Sequence, residues 1–434
     1  MNSNWESTTW GELVVLNYGK ALFGYKENTS GVPVYGTNGK IGYTEKALCD
    51  FPSVIVGRKG AYRGIHFSNE PFYVIDTAFY IVPKKDINLK WAYYALSLVD
   101  INGMDSGSAI PSTSRDEFYK IPVHVPPSKE QDLMVKTLDC IEFKFNNCQS
   151  LNSTLESIAQ TIFKSWFVDF DPVRAKVAAK TKGEDPQLAA MQAISGKSEE
   201  ELQQLTSENY QKLADTTDLF PDEMVETEHG EIPKGWKIGS IGEIYSAKGG
   251  FAFKSKEFGD EGYAVVKIKN ISTDGSVDLK NIQYINVNSK SLKLEFELMD
   301  GDVVMAMTGA TVGKVGCIVK FSDQQVYLNQ RVAVFKRKKN YNFSWYPYIF
   351  FRQEDKFNEI VGLAQGSAQP NISSREIESV TTVLPPSSIL DHFDKLVNPL
   401  FLMWISNSKQ NSTLSESRNI LLPKLLSDEI ELTD

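Results

Sequence analysis

The strongest constraint on this chain is an internal repeat, because a duplicated sequence must be able to build one architecture twice. Gly107-Ser108-Ala109-Ile110-Pro111 recurs 259 residues later as Gly366-Ser367-Ala368-Gln369-Pro370. In the same register, without a gap, Pro126-Pro127-Ser128 recurs as Pro385-Pro386-Ser387, and Asn152-Ser153-Thr154-Leu155 as Asn411-Ser412-Thr413-Leu414. Ser114-x-x-Glu117 and Ser373-x-x-Glu376 also align. Both spell a capping box, in which the serine and the glutamate satisfy free amides at a helix start. Upstream the repeat continues with gaps: Phe23-Gly24-Tyr25-Lys26 is like Phe251-Ala252-Phe253-Lys254, Val54–Ala61 is like Val303–Ala310, and Trp91-Ala92-Tyr93-Tyr94 is like Trp345-Tyr346-Pro347-Tyr348. Each half is therefore a globular unit, a Pro-Pro break and a long segment. A kept frame with drifted interiors is expected if the frame is structural and the interiors face different targets.

Within the globular units the pattern is mostly that of strands. Val54–Val56, Phe72–Val82, Tyr263–Ile268, Asp302–Met307 and Val326–Phe335 are β-branched or aromatic runs bounded by turns. Asn38-Gly39 is a hairpin-turn signal. Short helices are expected near Leu89–Leu98 and Ser344–Val361. The long segments read differently. From Met134 the apolar residues are spaced 4,3,4,3, through Leu138, Ile141, Phe145, Cys148, Asn152, Leu155, Ala159, Ile162 and Trp166. That is a heptad seam. Its counterpart runs Phe393, Val397, Leu400, Trp404, Asn407, Asn411, Leu414, Arg418, Leu421, Leu425, with Pro399 and Pro423 expected to disturb it. Asn152 and Asn411 occupy equivalent seam positions, where a polar residue can set register. The fold class is thus α+β: two pseudo-repeated α/β units separated by two long helices that form an antiparallel coiled coil. The expected divisions are 1–127 for the first unit, 128–173 for the central helix, 174–231 for a helical and acidic linker, 232–386 for the second unit and 387–434 for the C-terminal helix. Helices near 186–194 and 199–214 are expected in the linker.

Several chemistries are excluded by what the motifs lack. The four cysteines form no CxxC pair and the four histidines are scattered, so neither a disulfide framework nor a zinc site is expected. Gly309-x-x-x-Gly313-Lys314 is one residue short of a phosphate-binding loop and has Val315 where magnesium needs Ser or Thr. Val125-Pro126-Pro127-Ser128 and Leu384-Pro385-Pro386-Ser387 lack the flanking residues with which amino-methyltransferases hold a target amine. No signal peptide and no membrane span is legible, so a cytoplasmic protein with no membrane partner is expected. A duplicated chain without a catalytic constellation reads as a recogniser or scaffold. A stand-alone DNA methyltransferase or nuclease and a coiled-coil adaptor that does not bind DNA are the competing readings.

Three segments carry a resemblance. Ser165-Trp166-Phe167-Val168-Asp169-Phe170-Asp171-Pro172-Val173-Arg174-Ala175-Lys176, Leu219-Phe220-Pro221-Asp222 and Gly230-Glu231-Ile232-Pro233-Lys234-Gly235-Trp236 resemble the end of the spacer helix and the start of the second recognition domain in the specificity (S) subunits of type I restriction–modification systems. Tyr35-Gly36-Thr37-Asn38-Gly39 and the Gly-Ser-Ala-x-Pro repeats fit the same family. The resemblance implies two target-recognition domains, each reading half of a bipartite, gapped site on double-stranded DNA. The helices would set the gap and dock two methyltransferase (M) subunits, and restriction (R) subunits would join. S-adenosylmethionine would bind the M subunits, ATP and magnesium the R subunits, and this chain none of them. It would be non-catalytic by itself.

Base readout needs Arg, Lys, Asn or Gln at a groove edge, and backbone grip needs cations or exposed amides. Polar residues on or beside Gly-rich turns are therefore the DNA-binding candidates. They are Lys26, Asn38, Lys40, Arg58, Lys59, Tyr62 and Arg63 in the first half, and Lys248, Lys254, Thr308, Lys314, Asn329, Gln330 and Arg331 in the second. Arg58, Lys59 and Arg63 are the densest basic cluster of the first half. The run Lys336-Arg337-Lys338-Lys339 reads as a solvated turn and a secondary phosphate-contact candidate. For helix packing and register the candidates are Leu138, Ile141, Phe145, Asn152, Leu155, Ile162, Trp166, Leu400, Trp404, Asn411, Leu414 and Leu421. The net charge of −9 argues against a nucleic-acid binder only until it is divided. Residues 1–127 are net 0 and 232–386 net +4, while 128–173 carry −3, 174–231 carry −7 and 387–434 carry −3.

Overall fold

A computed structural model describes residues 4–104, 111–228, 230–287, 294–338, 345–365 and 369–430. The Gly-Ser-Ala stretches of the repeat, together with Lys339 and Ser344, lie outside the described residues. The chain divides into two compact units, Met1–Asn146 with Thr413–Asp434, and Asn147–Ser412. The central helix, Ser128–Phe167, and the C-terminal helix, Ser387–Leu426, each contribute to both.

The duplication is visible in the strand order. In the first unit an antiparallel sheet runs Val14–Tyr18, Ala78–Pro83, Ser53–Gly57, Ile65–Ser68. In the second the same order is filled by Tyr245–Gly249, Val332–Arg337, Val303–Ala306 and Val315–Cys317. A further sheet also repeats: Gly39–Thr44, Val32–Gly36, Tyr73–Val74 against Gln283–Ile285, Tyr263–Val266, Val326–Leu328. The last two strands of each set are parallel. In the second unit Phe258–Gly259 and Glu297–Leu298 extend this sheet at its edges. Each unit is closed by a two-stranded clasp, Glu6–Thr9 with Pro122–Val125 and Lys237–Ser240 with Thr381–Leu384.

Two runs that read as single strands are broken. Phe72–Val82 becomes Tyr73–Val74 and Ala78–Pro83, with Ile75–Thr77 as the corner between sheets. Val326–Phe335 becomes Val326–Leu328 and Val332–Arg337, with Asn329–Arg331 as the corner. Val74, Ala78, Leu328 and Val332, which flank the corners, are apolar and buried, so each run reads as one strand although Asp76 and Asn329 are poor strand formers. The helix expected near Ser344–Val361 is two, Tyr346–Phe351 and Glu354–Leu363. Pro347 sits in the first turn, where its missing N–H costs nothing. In the linker, Asp171–Lys182 and Pro186–Ser195 are followed by Glu199–Gln203 and Ser207–Asp218, the last two each started by its own cap, Ser198 and Thr206. Pro399 and Pro423 do not interrupt the 40-residue C-terminal helix. Both prolines, and Lys395 and Asn419 one turn earlier, are exposed, so water can satisfy the carbonyls they free.

The first core gathers Trp10, Phe79, Trp91 and Phe118 with Met134 and Leu138 of the central helix and Leu422 and Leu425 of the C-terminal helix. Trp10 stacks on Trp91 with ring centroids 5.9 Å apart. In the second unit the helices run antiparallel: Cys148 Sγ meets Gln410 Oε1 at 3.2 Å, Asn152 meets Asn407 at 2.9 Å, and the Phe163 ring lies 5.9 Å from Phe393. Phe163, Trp166 and Phe167 of the central helix are buried with Phe393, Val397, Phe401 and Trp404 of its partner helix. The buried stripe is thus wider than a strict heptad seam, because a helix lying on a globular core needs about three apolar positions in seven.

Candidate nucleic-acid interface

In both units one turn of the antiparallel sheet is laced to its surroundings by the same backbone bonds. In the first unit Gly57 N donates to Gly64 O (2.8 Å), closing the turn over Arg58–Arg63. Arg58 N and Lys59 N donate to Thr77 O in the sheet corner (2.9 and 3.1 Å), and Gly64 N to Thr37 O in the hairpin turn (3.0 Å). Gly60 N donates to Pro111 O (3.0 Å) and Thr113 N to Arg58 O (2.9 Å). In the second unit Ala306 N donates to Lys314 O, Met307 N to Arg331 O, Gly309 N to Pro370 O and Ile372 N to Met307 O, each at 2.9 Å. Lys59 bridges Ser112 as Thr308 bridges Asn371. The repeated prolines therefore anchor one loop of each unit. Close packing explains Gly57: a Cβ there would lie 2.8 Å from Thr37 Oγ1 and 2.9 Å from Arg63 Cβ.

This lacing assembles part of each candidate set. In the first unit Arg58, Lys59, Tyr62 and Asn38 come together, with Tyr62 81% exposed and the Asn38 amide against the Tyr62 carbonyl. Lys59 pairs with Asp76 at 3.6 Å. Arg63 belongs to the same turn but is only 4% exposed. Its Nη2 donates to Ile101 O and Asn102 O (3.1 and 2.8 Å), so it braces the turn from behind. Lys40 stands on the neighbouring hairpin, where its Nζ donates to Tyr43 Oη (2.7 Å), a bond that raises the lysine pKa. Lys26 is exposed in a turn whose Tyr25 carbonyl accepts from Tyr43 N.

In the second unit Thr308, Asn329, Gln330 and Arg331 share one corner, and Arg331 Nη1 donates to Asn371 Oδ1 (3.3 Å). Lys314 ends the turn and lines a cavity of about 230 Å³ with Ser272, Thr273 and Arg352. Lys248 is held by Glu295 at 2.6 Å on the edge strand, and Lys254 is exposed on a separate loop. Asn329–Arg331 corresponds by topology to Ile75–Thr77, and Thr308 to Lys59. The two sets therefore match only partly position for position. Lys336 pairs with Asp302 at 2.5 Å. Arg337, its side chain 5% exposed, pairs with Asp391 and Asp394 of the C-terminal helix at 2.7 and 3.0 Å, which turns that residue inward.

Three residues that spacing did not single out join these corners. The guanidinium carbons of Arg58 and Arg115 lie 4.7 and 4.6 Å from the Tyr18 ring centroid. Asn371 supports Arg331. Arg115 follows the Ser114 cap and could have been found there, but no periodicity links Tyr18 to Arg58, forty residues on.

The segments around Trp166 and Trp236 meet in the second unit. Trp166 packs edge-on against Phe220 (5.0 Å), and Trp236 against Phe170 (5.6 Å). Lys176 Nζ donates to Thr217 O and Phe220 O (2.7 and 2.8 Å), and its burial pushes the ammonium pKa down. The sequence model of the type I restriction modification DNA specificity domain matches residues 2–157 and 233–400. The chain belongs to this family. It is 30% identical over 384 residues to the HindI specificity subunit of Haemophilus influenzae, covering 82% of this chain and 81% of that one. It is 24% identical over 419 residues to the MjaIX specificity subunit of Methanocaldococcus jannaschii, covering 92% and 84%. Its fold is similar to the crystal structure of a type I S subunit from M. genitalium, with a TM-score of 0.61, 15% identity, and 100% and 98% of the two chains covered.

Each matched stretch of this type I specificity subunit contains one laced corner. Along the helices, Leu138 is buried in the first core, against which Leu421 packs, and Ile141, Phe145 and Leu414 line a cavity of about 280 Å³ within the same unit. In the second unit Trp166 and Trp404 are buried, and Leu155, Ile162 and Leu400 pack on the core. Asn152 accepts from Asn407 Nδ2 and donates to Trp404 O (3.2 Å) and Ser408 Oγ (3.0 Å). Among the described residues no group of three His, Cys, Asp or Glu could hold a metal ion, and no helix is long and apolar enough to cross a membrane.

Proposed function

We propose that this chain is the DNA-recognition subunit of a type I restriction–modification complex, acting in the cytoplasm. Each unit reads one half of a bipartite, gapped site in double-stranded DNA through its laced corner. One observation carries this reading: the same backbone frame occurs twice, with different side chains at equivalent positions. Lys59 stands where the second unit has Thr308, and the Asp76-Thr77 corner where it has Gln330-Arg331. A frame held constant while its exposed side chains change is what two unlike half-sites demand. The helices, each 40 residues and thus roughly 60 Å long at 1.5 Å per residue, set the gap between half-sites. They also dock two methyltransferase subunits, which hold S-adenosylmethionine, and the restriction subunits bring ATP and magnesium. The chain itself carries out no chemistry.

The test is a map of methylated bases across the host genome with and without this gene. Loss of methylation at one bipartite motif is expected, and it names the target as well. A methylation pattern unchanged by the deletion would overturn the proposal.

A further inference from the structure

We infer that the first unit reads a guanine with a pair of arginines, Arg58 and Arg115, stacked on Tyr18. This deepens the proposed function and rests on it. Both guanidinium carbons lie within 5 Å of the Tyr18 ring centroid, at 4.7 and 4.6 Å, inside the range of cation–π attraction. Each head group is also tied at one nitrogen: Arg58 Nη1 donates to Asp76 O (2.9 Å) and Arg115 Nη1 to Leu16 O (3.4 Å). Both ties go to backbone carbonyls, and neither arginine forms an ion pair with a carboxylate among the described residues. The Nε and Nη2 donors of both residues have no partner among the described residues. Tyr18 is 46% exposed, so the stack opens at the surface.

A guanidinium held at two points, the Tyr18 ring and a backbone carbonyl, with two adjacent donors free, matches the paired acceptors of guanine O6 and N7. A phosphate contact needs no fixed plane, and a mobile lysine serves it as well. Holding the head group in place in advance lowers the rotamer entropy that binding would otherwise cost.

The second unit supplies an internal comparison. Topology puts Gly249 where the first unit has Tyr18, Met307 where it has Arg58, and Ser374 where it has Arg115. These positions also meet: a Cβ on Gly249 would lie 3.9 Å from both Met307 Sδ and Ser374 Oγ. The second unit thus keeps the site and lacks the stack. Its own guanidinium, Arg331, comes from the adjacent corner, where the first unit has Thr77, and is tied to the Asn371 side chain. The arginine-pair reading is therefore a property of the first half-site alone.

The experiment uses the full chain assembled with its methyltransferase subunits, on DNA carrying the mapped target. Each guanine of each half-site is replaced in turn by 7-deazaguanine, which lacks the N7 acceptor. Wild-type complex is expected to lose about tenfold in affinity at one guanine of the first half-site or more. Arg58→Lys or Arg115→Lys, which keep the charge and lose the fork, should bind guanine and 7-deazaguanine there alike. Tyr18→Phe should behave as wild type, whereas Tyr18→Ala should lose the discrimination. Unchanged discrimination at the second half-site shows that each variant is folded and assembled. The inference is overturned if the lysine variants keep the wild-type preference, or if the first half-site has no guanine. It is also overturned if binding weakens equally on every sequence with a shallower salt dependence, which would mark a phosphate contact. A wild-type complex that methylates no bipartite site would instead defeat the proposed function.

Discussion

Asn152 and Asn411 are the same residue of the repeat, yet their surroundings give them opposite energetic weight. Asn152 is satisfied on both sides of its amide, by Asn407 Nδ2, Trp404 O and Ser408 Oγ. Asn411 keeps a buried Oδ1 with no partner among the described residues. Removing a satisfied buried amide strands its partners, whereas removing an orphaned one relieves a desolvation cost. Asn152→Leu should therefore destabilise the chain by about 2 kcal/mol, and Asn411→Leu should be neutral or stabilising. Urea unfolding followed by tryptophan fluorescence measures both, and equal losses would contradict the assignment. Equivalence of the two asparagines is legible in sequence. The difference depends on Asn407, which becomes a partner only once the helices are packed.

At the scale of elements, the joint between the helices and the linker hangs on His392. Its ring stacks on Trp166 at 6.1 Å, and its Nε2 lies 2.9 Å from Thr216 Oγ1 on the linker helix. Burial pushes its pKa below the ordinary imidazole range; Lys395 lowers it further and Asp215 opposes. The folded state thus binds a proton less readily than the unfolded chain. The contribution is fully present above the unfolded pKa of about 6.5 and is lost as pH falls through the folded one. The melting temperature of wild type should accordingly drop more than that of His392→Gln between about pH 7.5 and about pH 5.5. Parallel pH profiles would remove His392 from this role. The capping serines and the Pro-Pro breaks made the helix starts legible here. The expected central helix, 128–173, ends instead at Phe167, and a new helix, Asp171–Lys182, starts after Phe170 in the left-handed region (φ 55°), a conformation that a phenylalanine does not announce in sequence.

For the whole molecule, charge decides how DNA is gripped. Residues 1–127 are net 0 and 232–386 net +4, whereas 174–231 carry −7. In the first corner Lys59 is paired with Asp76, and Arg63 is buried and turned inward onto backbone carbonyls. The small net charge of the two units limits counterion release, which supplies most non-specific affinity. The purified chain alone should bind its target weakly at about 150 mM salt and gain strongly when methyltransferase subunits are added. Fluorescence anisotropy with labelled duplex tests this, and tight binding by the lone chain would contradict it.

By itself the sequence determined the duplication, the two α/β units, the paired helices and the family, because these rest on periodicity, turn chemistry and register, which are local or repeat at a fixed offset. It also offered the Gly-rich turns as candidates for recognition. Only the tertiary structure decided which side chains in those turns face outward. Arg58 and Arg63 look alike in a sequence window, but one stacks on Tyr18 at the surface while the other is buried against Ile101 and Asn102. The partners of Arg58, Tyr18 and Arg115, are brought to it by strand pairing across the sheet and by the anchoring of Pro111. Such contacts join residues with no fixed spacing along the chain, so no pattern in the sequence carries them.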